Sequence, residues 1–326
     1  MLLASCSPNS SLQVVSRAPS GLDHRALTAA LQDLDDETAG ELGACVMDER
    51  GISCVNGDTR YSLQSVMKLL VAFAAFEAAD RGELDMNETV VVRREDLSLY
   101  VQPIAQLVGH TGFRTTWLDL ARRAVVDSDS AATDILVRRL GGPRKIQETL
   151  ERKRIADVRI DRDERTLQTD IAGLEWRPEF VDAAALDRAI AEVPREKREA
   201  AQQAYLTDVR DTATPRGMAI FLHRLGRGEL LSRASTEELV GIMRQTKTFP
   251  GRLRAGANGS WAVGHKTGSS GSYRGLTTVT NDVGLYWPPG RPAVALAVFL
   301  AKSPLRADER DAAIAKVGQA TTAAYQ

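Results

Sequence analysis

Three short strings carry side chains that could do covalent chemistry together: Ser65-Val66-Met67-Lys68, Ser128-Asp129-Ser130 and Lys266-Thr267-Gly268. Each is weak alone, because strings this short recur by chance on ordinary helix and strand surfaces. Their shared chemistry is more specific. On a helix, Ser65 and Lys68 fall on neighbouring turns of one face, so the amine can reach the hydroxyl and, when neutral, take its proton. Burial at the foot of an apolar helix, near a second lysine, is the condition that lowers a lysine pKa toward neutrality. A helix amino end also aims backbone N–H groups at developing negative charge, and the N–H groups of Ser65 and Ser269 are the expected oxyanion hole. Ser128 is the expected proton shuttle to a leaving nitrogen. Acyl transfer through a serine ester is the reaction such a set could run.

Those residues need particular elements to hold them. Ser65 opens a strongly apolar run, Leu69-Leu70-Val71-Ala72-Phe73-Ala74-Ala75-Phe76, too apolar all round for a surface helix and therefore expected as a buried central helix. Before it, Leu22 to Leu34 carries helical spacing, and Leu42 to Val55 reads as a hairpin turning near Glu49-Arg50-Gly51, with a further turn at Asn56-Gly57-Asp58. From the Ser65 helix to about Leu140 the pattern stays helical. Trp261 to Lys266, Leu276 to Tyr286 and Ala293 to Leu300 are β-rich runs separated by Gly and Pro turns, and Ala307 to Tyr325 reads as a closing helix. A hairpin near the start and three strands near the end imply one sheet built from both ends of the chain, with the middle as a separate helical domain. The expected division is 1–20 as a tether or signal remnant, 21–60 with 212–326 as an α/β domain, and 61–211 as the helical domain.

Composition narrows the function classes. The 326 residues are 43% hydrophobic and 26% charged, enough for a sizeable core in one large or two interleaved domains. A formal net charge of −1 favours neither nucleic acid nor an anionic membrane surface as partner. Only eight of the 42 basic residues are lysine, and two of the eight are Lys68 and Lys266. Three cysteines and four histidines without metal-ligand spacing point to no metal site. Cys45 and Cys54 flank the hairpin turn and read equally well as a cross-strand disulfide or two buried thiols. Leu3-Ala4-Ser5-Cys6 resembles a bacterial lipoprotein cleavage box, which makes Cys6 the expected lipid-anchor position of an exported protein, although the charged and apolar stretch that should precede it is missing.

Gln64-Ser65-Val66-Met67-Lys68 after Asn56-Gly57-Asp58, then His265-Lys266-Thr267-Gly268-Ser269-Ser270-Gly271 and Thr280-Asn281-Asp282-Val283-Gly284, resemble the class A serine β-lactamases, and within them the extended-spectrum, PER/VEB-like branch. The resemblance spans nearly the whole chain. It implies an antiparallel five-stranded sheet flanked by helices plus an all-helical domain, a β-lactam substrate, no cofactor, a periplasmic or exported location and a monomer. Arg159-Ile160-Asp161-Arg162-Asp163-Glu164 resembles the start of that family's omega loop and Asp211-Thr212-Ala213-Thr214-Pro215 its end, making Glu164 the implied water-activating base. Lys266 would hold the substrate carboxylate and keep Ser128 poised, beside Thr267, Gly268, Ser269 and Ser270. Arg252 falls where this branch has a carboxylate-binding arginine, with Arg274 as fallback. Tyr100 matches a substrate-stacking rim position imperfectly, and core packing is its alternative role.

Departures from the family pattern bear on specificity. Ser130 and Gln168 stand where the family usually has asparagine, so some substrate contact and some support of the deacylating water should change. Between Glu164 and Asp211 lie roughly thirty more residues than a short omega loop needs. Much of this, Glu179 to Thr207, is helix-forming, with a break at Pro194 and apolar anchors at Phe180, Val181, Leu186, Ile190, Val193 and Tyr205. It reads either as a lid that reshapes the cleft or, the favoured reading, as a solvated excursion, since loops tolerate insertions at low cost. The leading function is β-lactam hydrolysis through a Ser65 acyl-enzyme that Glu164-activated water cleaves. A D,D-peptidase or esterase-like hydrolase and a non-catalytic binding protein on the same fold are the rivals.

Overall fold

The structure, a computed structural model, describes residues 21–326, so the expected tether and the Cys6 box lie outside the described residues. Helix α1 (His24–Glu37) starts where the Asp23 carboxylate accepts the N–H groups of Arg25 and Ala26, satisfying donors that have no partner within the helix. Strands β1 (Glu41–Asp48) and β2 (Gly51–Val55) form the hairpin, and their register sets Cys45 opposite Cys54, which are joined as a disulfide. After the short β3 (Tyr61–Ser62), a 3-10 turn at Gln64–Val66 leads into α2 (Met67–Asp80).

Every residue of α2 from Met67 to Ala78 is buried, as its uniformly apolar sequence requires. Each fully buried Leu or Phe there contributes about 1.5–3 kcal/mol relative to exposure. The stretch up to Leu140 is less uniform than its pattern suggests. Strands β4 (Thr89–Val92) and β5 (Phe113–Thr116) pair as a separate ladder ahead of α3 (Trp117–Val126) and α4 (Ser130–Arg139). The Thr89-Val90-Val91-Val92 run is β-branched throughout, which explains why strand prevails there over helix. Four helices follow: α5 (Pro143–Arg152), α6 (Glu164–Ala172), α7 (Ala183–Glu192) and α8 (Arg195–Leu206). The chain breaks between α7 and α8 at Pro194, which cannot continue a helix from within.

The chain then returns through β6 (Thr212–Ala213), α9 (Pro215–Gly226), α10 (Arg233–Arg244) and the single turn α11 (Leu253–Gly256). It finishes with β7 (Ala262–Ser269), β8 (Ser272–Tyr273), β9 (Leu276–Trp287), β10 (Val294–Ser303) and α12 (Ala307–Ala323). The main sheet runs β2-β1-β10-β9-β7, antiparallel throughout, with β8 pairing on β9. Its strands come from both ends of the chain, as the placement of the β-rich runs requires.

Strand β10 shows why these runs are apolar without alternation. Ala295, Ala297 and Phe299 join the core that contains α2 and the buried side of α9, whereas Val294, Leu296, Val298 and Leu300 join a second core with Leu27 and Leu31 of α1 and Ile314 and Val317 of α12. Successive side chains point to opposite faces, and both faces are covered. The β7 edge lies against the turn that carries Ser65, and there the two halves of the chemistry meet.

Candidate active site

Ser65 sits in the 3-10 turn that begins the central helix, between buried Gln64 and Val66. Gln64 has a φ of 46°, an uncommon conformation for a residue with a side chain, and it is held by hydrogen bonds from its amide to the Tyr205 hydroxyl and from Gln168 Nε2 to its Oε1 at 3.3 Å. One turn later Lys68, almost fully buried, donates to the carbonyl of Ser128 at 2.6 Å and to Ser130 Oγ at 3.0 Å. Its ammonium is also 3.5 Å from Glu164 Oε1. Lys68 thus joins Ser128, Ser130 and Glu164 from three elements, whereas the expected hydrogen bond from its amine to the Ser65 hydroxyl is not made. The Ser65 hydroxyl has no hydrogen-bond partner among the described residues and lines a cleft of about 450 Å³ together with Lys68, Ser130, Glu164 and Ser269.

Ser128 occupies the loop between α3 and α4 with a φ of 58°, a conformation that costs free energy for a residue bearing a Cβ. Two lysines hold it there. Lys68 takes its carbonyl, and Lys266 donates to its Oγ at 3.0 Å. The next residue, Asp129, caps α4 by accepting from Ala132 N at 2.9 Å and also accepts from Ile104 N at 2.7 Å, tying the loop to the segment behind Tyr100. Ser130 follows as the first helical residue, and its hydroxyl bridges Lys68 to Glu164 Oε2 at 3.4 Å.

Glu164 opens α6 and is only 2% exposed. Asp134, one turn along α4 from Ser130, accepts the backbone N–H of Glu164 at 2.8 Å, that of Arg165 at 3.3 Å and the Ser98 hydroxyl at 2.6 Å. Burial, with the charges of Asp163 and Glu164 beside it, pushes the Asp134 carboxyl up to about 7. The ends of the segment after Glu164 are clasped together. Asp211, with a φ of 51°, accepts from the N–H groups of Asp161 and Arg162 and from Arg162 Nε at 2.6 Å, and Arg162 also reaches Asp170 at 2.8 Å and Asp208 at 3.1 Å.

Lys266 is fully buried in β7. Desolvation, reinforced by the charge of Lys68, holds its ammonium well below the usual lysine range. Gly268 explains how β7 can lie so close. A Cβ there would stand 2.7 Å from the Leu63 carbonyl oxygen and 3.2 Å from Val66 N, so only glycine lets the strand backbone run against the turn that holds Ser65. Asn281 of β9 completes the joint by donating its side-chain amide to the carbonyls of Ser62 at 2.8 Å and Leu63 at 3.1 Å.

The remaining expected residues divide. Ser269, Ser270, Gln168 and Tyr100 line the cleft with Ser65. The Ser270 hydroxyl is engaged with the backbone of Val279, and the Thr267 hydroxyl pairs with that of Thr248 at 2.7 Å. Tyr100 is 55% exposed, with a φ of 54°, so it stands on the rim of the cleft and not in the core-packing role that was its alternative. Arg252 is buried and heavily engaged, with Asp311 at 2.6 Å, the carbonyls of Gly268 at 3.1 Å and Asn281 at 2.9 Å, and Ser269 Oγ at 2.8 Å. Arg274 pairs with Glu199 at 2.7 Å.

The largest correction concerns the segment around 179–207. It is no solvated excursion, because Ile190 of α7 and Arg198 and Gln202 of α8 line the cleft, and Phe180, Leu186 and Tyr205 are buried. Tyr205 reaches Ser62 Oγ at 2.6 Å as well as Gln64, next to the nucleophile candidate, and burial raises its hydroxyl pKa to about 12. Local propensity predicts the helices but not where they dock. Asp134 escapes the sequence entirely, and Asn281 and Tyr205, legible only as part of a motif and as an apolar anchor, gain their contacts beside Ser65 in the fold; the one signal for Asp134 was a carboxylate inside the largely small and apolar stretch Ser130-Ala131-Ala132-Thr133-Asp134-Ile135-Leu136.

A family model described as the β-lactamase enzyme family matches residues 26–326. The chain is 28% identical over 299 residues to β-lactamase CTX-M-8 of Citrobacter amalonaticus, covering 90% of this chain and 88% of that protein. It is 26% identical over 299 residues to β-lactamase OXY-2 of Klebsiella oxytoca, covering 91% and 89%. An ancestral Gram-negative class A β-lactamase structure is 31% identical, with a TM-score of 0.72, covering 91% of this chain and 99% of that one. A β-lactamase structure from Xanthomonas campestris gives a TM-score of 0.74 at 26% identity, covering 91% and 97%. With the serine, lysine and carboxylate assembled as above, the chain belongs to the β-lactamase enzyme family and is a class A-like serine β-lactamase.

Proposed function

We propose that the chain hydrolyses β-lactam antibiotics through an ester on Ser65. Ser65 Oγ attacks the lactam carbonyl, its proton passing to the Lys68 and Glu164 pair. Developing negative charge is met by the N–H groups of Ser65 and Ser269, Ser128 protonates the departing nitrogen, and Glu164 then activates the water that cleaves the ester. Lys266 receives the ring carboxylate, an anion that favours its charged form, and passes a proton or hydrogen bond to Ser128. Thr267, Gly268, Ser269 and Ser270 form the strand the substrate lies along, with Tyr100 on the rim. Arg252 acts through Ser269, whose hydroxyl it holds.

The observation that carries this reading is the burial of Glu164 beside Lys68 and Ser130 in the cleft that contains Ser65. A carboxylate there can serve the hydrolytic step that a transpeptidase lacks. The test is intact-protein mass spectrometry with benzylpenicillin. The native chain should show a transient adduct and hydrolyse nitrocefin, whereas Glu164→Ala should keep the adduct and lose roughly 10²–10⁴-fold in turnover. A persistent adduct on the native chain would point to a D,D-peptidase, and no adduct to a binding protein.

The same reading assigns the chain to a PER/VEB-like branch with an enlarged omega loop, supported by Gln64 beside Ser65 and by α7 and α8 lying between Glu164 and Asp211. It divides the chain into an α/β part of 21–60 and 212–326 and a helical part of 61–211, the strands of the main sheet all falling in the former. It places the protein in the periplasm or exported, as a monomer, with Cys6 as the lipid-anchor position. The Cys45–Cys54 disulfide supports an oxidising compartment, and among the described residues no helix is long and apolar enough to cross a membrane.

A further inference from the structure

Helix α8 brings into the cleft a cation that no carboxylate pairs among the described residues. Arg198 lines the cleft with Ser65, Glu164, Gln168 and Gln202, its Nε is buried without a hydrogen-bond partner, and it makes no ion pair among the described residues. Its neighbours use the local carboxylate: Arg195 takes Glu199 at 2.7 Å, and Arg274 takes the same group at 2.7 Å. Nor is the helix loosely placed. Gln202 donates to Thr278 Oγ1 at 2.8 Å, and Tyr205 is tied to Ser62 and Gln64, so both of its inward turns are pinned to the sheet and to the Ser65 turn. Arg198 is half-buried, and a buried guanidinium N–H left without a partner is costly and is relieved by an anion in the cleft.

The position selects the anion. Lys266 and Arg252 are absent from the residues lining this cleft, which is walled instead by α6, α7 and α8, Tyr100 and the strand end at Ser269 to Tyr273. A β-lactam acylating Ser65 with its ring carboxylate toward Lys266 directs its acylamino side chain at the other wall. We propose that Arg198 is a specificity-determining residue that receives a carboxylate on the acylamino side chain, so that the enzyme favours dianionic β-lactams. This rests on the hydrolytic reading above. Arginine suits the task because its planar fork matches a carboxylate with two parallel hydrogen bonds.

The test uses matched penicillins that differ by one side-chain carboxylate: α-carboxybenzylpenicillin against benzylpenicillin, and an adipoyl penicillin against its uncharged hexanoyl counterpart. The ratio of kcat/KM, charged over neutral, should fall roughly tenfold in Arg198→Ala and in Arg198→Gln for at least one pair, and recover in part in Arg198→Lys. Rising salt should erode the native ratio. Equal ratios in native and variant enzymes for both pairs would overturn the assignment. If the native chain turns over none of the four, hydrolysis itself fails as the reading. Calorimetric binding of the same penicillins to Ser65→Ala, with and without Arg198→Ala, then reads the Arg198 contact alone, and an unchanged charged-to-neutral affinity ratio refutes it.

Discussion

Asp134 is the residue whose environment has the clearest consequence. It is fully enclosed and holds the first N–H of α6, so it fixes the backbone that carries Glu164. Because folding raises its pKa from 3.8 to about 7, the folded chain keeps a proton that the unfolded chain has released across that window. The stability this group contributes is complete below 3.8 and is lost as the pH climbs to about 7. Thermal midpoints should therefore drop across that interval more steeply in the native chain than in Asp134→Asn, whose side chain does not titrate. Parallel curves would mean that Asp134 is ionised throughout. The proposed reactive residues were legible from type and spacing, since a serine, a lysine and a Lys-Thr-Gly strand are local strings. Asp134 was not, because a carboxylate inside an apolar helix has no meaning until its partner from α6 is placed against it.

At the scale of elements, the contact between β7 and the Ser65 turn is the joint on which the site depends. Gly268→Ala would force a methyl to within 2.7 Å of the Leu63 carbonyl oxygen, a backbone atom that cannot swing aside. We expect a loss of about 1–3 kcal/mol in denaturant unfolding, typical of overpacking, together with slower acylation of Ser65 by benzylpenicillin as Ser269 is displaced. Native-like stability and acylation would show that the strand can yield. The helices between Glu164 and Asp211 teach the complementary lesson. Their existence and the break at Pro194 follow from local propensity, whereas their burial against Ser62 and Gln64 depends on residues more than a hundred positions away. No local pattern separates a helix that walls a cleft from one that lies in water.

Across the whole molecule, the sheet joins the chain's two ends, and the disulfide staples the hairpin at its far edge from β7. Closing so short a loop limits the unfolded chain by about 2–3 kcal/mol, and the existing β1–β2 ladder means the hairpin itself should survive reduction. The double variant Cys45→Ala/Cys54→Ala should therefore melt at a lower temperature yet keep native kcat/KM for nitrocefin. Loss of activity in a folded variant would reveal coupling from that edge to the cleft. Sequence by itself determined the family, the mixed fold and the candidate reacting side chains, because each is written in short strings and in periodic apolar runs that act locally. Only the tertiary structure decided that Tyr100 faces outward, that Arg252 is already engaged, and that α8 presents Arg198 to the cleft. These are outcomes of distant surfaces competing for the same space and the same hydrogen bonds, and such competition is resolved only when the whole chain is folded.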